Sequence, residues 1–363
     1  MKTIILLTML TSILSAQTRF NEINQLIKSG KFIETNKLID EKLANKDLSF
    51  EEMFHLQYEQ ERLDRIKKDF NKTSEDVLKI VNKYYPNAKE KDLEKWEKDG
   101  SLEYKIIDGK KWYFSRAASN LFRINKEAKK QKEVVDGFQK DPLDTFLENY
   151  IPQVLDESAN GQEGLVKPVQ FKLNYTVTVE ANAVPDGEII KCWLPYPREG
   201  HQRQVDIKLL AVNNDEYVIA SNENPQRTLF MQRPAMKDQP TIFNMVLQVT
   251  NFNKVNFIQP ELIKSYNKES GLYKTYTMER TPHIVFTDKV KNLSKQIVGD
   301  EKNPYLIAKK IFTWISDNIP WAGAREYSTL ENISDYCITN GHGDCGIKTL
   351  LFMTLCRYNG IPT

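Results

Sequence analysis

The stretch Gly343-Asp344-Cys345-Gly346-Ile347-Lys348-Thr349-Leu350-Leu351-Phe352, continued by Cys356-Arg357-Tyr358-Asn359-Gly360-Ile361-Pro362, decides how this chain is read. Ile347, Leu350, Leu351 and Leu355 fall on one stripe of a 3.6-residue helix. Asp344 is a good N-cap, and Asn359-Gly360 followed by Pro362 ends the helix. Cys345 therefore opens a helix, where unpaired N–H groups and a partial positive charge favour a thiolate. The glycines on either side leave room for a substrate carbonyl. The Cys345 N–H is placed to donate to the oxyanion formed on attack. These residue types in this order suit acyl transfer through a thioester. On these residues alone the plainer reading stays open: a Cys packed on a core helix, with Asp344 a simple cap. Cys356, deeper in the same helix, reads as core.

Upstream the pattern is again helical. Thr287 caps a helix carrying Val290, Leu293 and Ile297, and Asn303-Pro304 supplies a cap and an N1 proline before Ile307, Ala308, Ile311 and Ile315. Between Ile319 and Gly343 the pattern is that of a mixed loop. Further back the period changes to two. Phe171, Leu173, Tyr175, Val177 and Val179 alternate with polar residues, and Ile189, Ile190, Cys192 and Leu194 follow a Pro185-Asp186-Gly187 turn. Segments 205–212, 217–220, 228–232 and 243–250 continue as short strands, which suggests an antiparallel β-sandwich. Asp156 to Pro168 is polar, contains Gly, and reads as a linker.

From Arg19 to about Tyr150 the chain is mostly helical. A helical hairpin turns at Ser29-Gly30, and Thr73 caps a helix through Val77, Ile80 and Tyr84. Asp108-Gly109 is a hairpin turn between Leu102–Ile107 and Lys111–Phe114. A single helix is expected from Ser115 towards Lys132.

Composition narrows the function. In 363 residues, 51 Lys and Arg stand against 49 Asp and Glu, a net charge of +2, which argues against nucleic acid as a partner. Lys2, the apolar run Ile4 to Leu14 and Ser15-Ala16-Gln17 read as a signal peptide cleaved after Ala16. The run is shorter than the about 20 residues of a membrane-spanning helix, and no other segment is apolar enough. A secreted or periplasmic location follows. The cysteines are Cys192, Cys337, Cys345 and Cys356. Cys345 and Cys356, roughly 16 Å apart on one helix, lie beyond the about 7 Å that a disulfide needs. Export would permit a Cys192–Cys337 bridge. No CxxC suggests zinc, and no motif calls for a cofactor or metal.

Taken together, Asn318-Ile319-Pro320-Trp321 to Tyr327, Asn340 to Gly346, Leu350-Leu351-Phe352 and Cys356 to Pro362 resemble the transglutaminase-like superfamily. The specific elements are a GxC that opens a helix and an R-x-x-G-I-P that closes it. Lys191-Cys192-Trp193-Leu194-Pro195-Tyr196-Pro197 resembles the domain preceding the core in bacterial members. The resemblance covers roughly residues 168 to 363. It implies a papain-like fold in which Cys345 is the nucleophile, a sheet covers the leucine stripe, and a His and an Asp come from strands later in the chain. It also implies a role for Trp321 as an aromatic beside the oxyanion, with a core aromatic as the plainer reading.

The histidines are His55, His201, His283 and His342. His342, on the loop leading into the helix, is a substitute base or, more simply, a surface loop residue. The chain reaches Thr363 before the strands that bear the family's His and Asp, so it is expected to be incomplete and inactive as it stands.

The expected fold class is α+β and multidomain: a signal peptide at 1–16, a helical N-terminal domain with a small hairpin at 17–155, a β-sandwich at 168–280, and the helical first part of a papain-like transglutaminase core at 281–363. The expected function is cysteine-dependent hydrolysis or acyl transfer at amide or peptide bonds, on a protein, peptide or cell-wall peptide. The alternative is a non-catalytic binding or scaffold protein of the cell envelope with a degenerate core.

Overall fold

A computed structural model describes residues 21–138, 140–160 and 164–363. The signal-peptide reading at 1–16 lies outside the described residues. The chain divides into two compact units: residues up to Phe138 together with Gln259–Thr363, and Gln139–Ile258. Mixed helices and antiparallel sheets make it an α+β chain.

The first unit begins with α1 (21–28) and α2 (Phe32–Leu43). The turn between them needs Gly30. Its φ is +74°, and a Cβ there would run into the carbonyl oxygen of Ile106. Next come α3 (Phe50–Asp69), β1 (Phe70–Lys72), α4 (Ser74–Val81) and α5 (Glu90–Lys98). Ser49 with Glu52, and Thr73 with Asp76, form reciprocal capping boxes at α3 and α4. The hairpin β2 (Tyr104–Ile107) and β3 (Lys110–Phe114) turns through Asp108 and Gly109, both at positive φ. β1 pairs with β3 and completes a three-stranded sheet in the order β1-β3-β2.

The single helix expected from Ser115 is two, α6 (Ala117–Ile124) and α7 (Lys126–Asp136). Asn125 breaks it: its backbone is extended, and its side chain accepts from the Ala128 N–H as a new cap. Phe32, Leu63, Leu93, Tyr113 and Leu121 lie at the centre of this region's core.

In the second unit, α8 (Pro142–Asn160) and β4 (Gly164–Val179) occupy most of the expected linker, and α8 packs on that strand. Tyr150 Oη accepts from Asn253 Nδ2 at 2.7 Å, which ties helix to sheet. Strands β5 (Ile189–Pro195), β6 (Gln204–Val212), β7 (Tyr217–Ile219), β8 (Thr228–Pro234) and β9 (Thr241–Val255) follow. The sheets run β4-β9-β6 and β5-β8-β7. Leu194, Leu229, Met231, Phe243, Met245 and Leu247 come from both sheets and share one core. Phe171, Leu173, Tyr175 and Val177 of the edge strand β4 lie opposite buried residues of β9 but stay exposed.

The first unit resumes with α9 (Gly271–Thr277), α10 (Asp288–Val298), α11 (Pro304–Asn318), α12 (Ile333–Asn340) and α13 (Cys345–Tyr358). Thr287 and Asn303 cap α10 and α11 as their positions predict. Helix α12 lies inside the stretch read as a mixed loop. Asn332 caps it, and Gly341 in the left-handed region ends it. Ile347, Leu351 and Leu355 are fully buried, in one cluster with residues of α10, α11 and α12. Residues of α10, α11 and α12 therefore cover Ile347, Leu351 and Leu355.

The two parts of this unit meet through buried polar contacts. Asn120 Nδ2 donates to the Gly323 carbonyl at 2.9 Å, and the Gly323 N–H donates back to Asn120 Oδ1 at 2.8 Å. Arg325 reaches Glu103 at 3.0 Å, and Tyr336 Oη donates to the same carboxylate at 3.1 Å. Among the described residues no helix is long and apolar enough to cross a membrane. Replacing Asn120 with Ala leaves the buried Gly323 N–H and C=O without partners. A stability loss of about 2–4 kcal/mol is expected, read from the midpoint of urea unfolding.

Candidate active site

Asp344 builds the start of α13. Its side chain accepts from the Ile347 N–H at 3.0 Å, two residues past Cys345. The Tyr327 hydroxyl sits 2.7 and 2.8 Å from the two oxygens of the same carboxylate. Burial, then the Asp344 carboxylate, pushes the Tyr327 phenol up to about 12, an effect that the Gly346 N–H partly offsets. A Cβ on Gly346 would run into the Tyr327 hydroxyl, and one on Gly343 into Ile347. Both glycines make space for neighbouring side chains, so the room expected there for a substrate carbonyl is taken up by Tyr327 and Ile347.

The four cysteines are free thiols. Cys345 is exposed, whereas Cys192, Cys337 and Cys356 are buried. Burial pushes the Cys337 and Cys356 thiols up to about 12 and raises Cys192. Only the thiol at the head of α13 combines solvent access with a helix N-terminus.

Trp321 lies beside this turn. It bridges Gly343 in parallel, with the Ala322 N–H donating to the Gly343 carbonyl at 3.2 Å and the Gly343 N–H to the Pro320 carbonyl at 3.3 Å. Trp321 is 46% exposed, so it is not a core aromatic. Arg123, on α6, stacks over the ring at 4.5 Å.

His342 is buried, 4% exposed, which overturns its reading as a surface loop residue. Its ring meets Tyr336 edge-on at 6.0 Å, and burial lowers its pKa while Glu103 acts in the opposite direction. His283 is also lowered by burial, and its Nδ1 is buried without a partner. His201 is exposed and accepts the Arg203 N–H in the second unit. His55 lies on α3. Among the described residues no group of three His, Cys, Asp or Glu is arranged to hold a metal ion.

The sequence alone did not single out Tyr327, Asn120, Arg123 or Glu103 for this site. Tyr327 stands inside the motif region but carries no spacing signal. The others meet the site from about two hundred residues away in the chain.

Comparison with known proteins follows this geometry. Residues 291–363, from α10 to Thr363, match the family model of the transglutaminase-like superfamily core. This segment is similar to that core. The match holds Trp321, Tyr327, Asp344 and Cys345 and leaves the preceding residues outside it. No curated protein matches the chain. A solved structure from Cytophaga hutchinsonii, provisionally called a cysteine protease, is similar at 18% identity with a TM-score of 0.39. The similarity covers 55% of this chain and 66% of that one, just under two thirds.

Two measurements test the transglutaminase-like head of α13 and its surroundings. Iodoacetamide at neutral pH, followed by peptide mass spectrometry, is expected to label Cys345 in the folded chain. Cys337 and Cys356 should react only in denaturant. Stability is also expected to fall on the acid side. Burial holds the folded His342 pKa below its unfolded value of about 6.5, so the unfolded state binds more protons. This contribution is fully present above about pH 6.5 and is lost as the pH drops towards the lowered folded value. His342→Gln should flatten the dependence of the urea midpoint between about pH 7 and pH 5.

Proposed function

We propose that this protein is a cysteine-dependent enzyme acting on amide or peptide bonds, with Cys345 as its nucleophile. The observation that carries the reading is one exposed thiol at the capped N-terminus of α13, inside a transglutaminase-like segment. The sulfur attacks the carbonyl carbon, the carbonyl π electrons move to oxygen, and the N–H groups at the helix start stabilise the charge. Collapse breaks the C–N bond, the proton given up by the thiol passes through water to the leaving nitrogen, the amine departs, and a thioester remains on Cys345. Water or an amine then takes the acyl group.

Trp321, exposed and bridged to Gly343, forms the rim beside the oxyanion in this proposal. The substrate is a protein, peptide or cell-wall peptide, reached after export of the chain to the periplasm or medium. The apolar run from Ile4 to Leu14 behind Lys2 supports export.

The test is acyl transfer from an activated ester. p-Nitrophenyl acetate is expected to acetylate Cys345 in the intact chain. The adduct should be removed by neutral hydroxylamine and should be absent from Cys345→Ser. Acetylation spread over surface lysines with none on Cys345 would refute the nucleophile.

A further inference from the structure

A second cleft in the first unit has no part in the thiol chemistry. It encloses about 400 Å³ between the N-terminal helices and the α10–α12 region, and Lys28, Arg62, Lys105, Lys289 and Arg325 line it. Four of these cations have partners. Lys28 pairs with Glu331 at 3.2 Å, Arg62 with Glu59 at 3.0 Å and Arg325 with Glu103 at 3.0 Å. Lys289 Nζ donates to Thr339 Oγ1 at 2.7 Å, and the other lining acid, Asp335, accepts from Thr287 Oγ1 at 2.6 Å.

Lys105 differs. It is half-buried, and among the described residues it forms no ion pair; its ammonium lies 5.8 Å from the centre of the Phe70 ring. The nearby carboxylates of Glu103 and Glu331 are engaged by Arg325 and Lys28. Burial lowers the Lys105 pKa, the Arg325 and Arg62 guanidiniums lower it further, and the Glu103 and Glu331 carboxylates act in the opposite direction. A cation withdrawn from water among other cations is costly without a counter-charge.

We propose that this cleft binds a small oxyanion, a carboxylate or a phosphate, whose negative charge pairs with the Lys105 ammonium. The volume suits a small molecule. Thr329, Asn332 and Asn340 add polar side chains along the wall. The site is independent of Cys345, so its failure would leave the nucleophile reading untouched.

The test uses the full chain, with sodium phosphate and sodium malonate compared against sodium chloride at matched ionic strength. Phosphate, malonate or both are expected to raise the melting temperature saturably, by about 3 °C at ten times the dissociation constant. A response to phosphate alone identifies a phosphate ligand, and a response to malonate alone a carboxylate ligand. Lys105→Met keeps the stem over Phe70 and removes the charge. It is expected to weaken the oxyanion at least tenfold in calorimetry while being no less stable than the parent without added anion.

Should that variant fail to fold, NMR of ¹³C-methylated lysines in the unsubstituted chain reads the same event. The Lys105 resonance is expected to move and saturate with the oxyanion. An equal response to chloride, a full response in Lys105→Met, or a Lys105 resonance that ignores both oxyanions would overturn the proposal.

Discussion

The Asp344 carboxylate is the constraint on which the site depends. It caps α13 through the Ile347 N–H and holds the Tyr327 hydroxyl. A free helix start leaves N–H groups unpaired, and a side-chain cap of this kind is worth about 1 kcal/mol. Here the cap also sets direction. With Ile347 buried and bonded to Asp344, Cys345 at the first helical position faces solvent. The leucine stripe on the opposite side keeps the helix from rotating, because any turn would expose Leu351 or Leu355.

The surroundings of that cap come from two distant parts of the chain. Asn120 closes two hydrogen bonds on Gly323, Arg123 stacks on Trp321, and Glu103 collects Arg325 and Tyr336. The loop over 320–325 would otherwise carry backbone groups with no partner. Buried contacts of this kind specify one arrangement more than they add net stability, because desolvation offsets much of the attraction. The N-terminal helices are therefore part of the frame that fixes the loop before the nucleophile.

Sequence signals with a local cause were the legible ones. Thr73, Thr287, Asn303 and Asp344 cap where their positions require, and Asp108-Gly109 turns a hairpin through two positive φ angles. Strands β5 and β9 follow for the same reason, since a period of two puts one face on the core, whereas β4 alternates and keeps its apolar face exposed. The misreadings were also local. Polar Asp156 and Glu157 hid the continuation of α8, and Asn125 acted as a cap in the middle of an apparently continuous helix. Helix α12 was concealed because its apolar residues are few and its Asn332 cap stands in a loop-like run.

What the sequence determined by itself was the helix starts capped by Thr73, Thr287, Asn303 and Asp344, the Asp108-Gly109 hairpin, and the presence of a Cys at the head of an apolar helix. Those depend on residues within a few positions of one another. Only the tertiary structure decided that Cys345 is open to solvent while Cys337 and Cys356 are sealed. It alone buried His342, exposed Trp321, and put Lys105 in a cleft with no direct ion pair among the described residues. Burial and electrostatic pairing depend on which surfaces meet. At the Asn120–Gly323 and Glu103–Arg325 contacts those surfaces lie about two hundred residues apart in the chain.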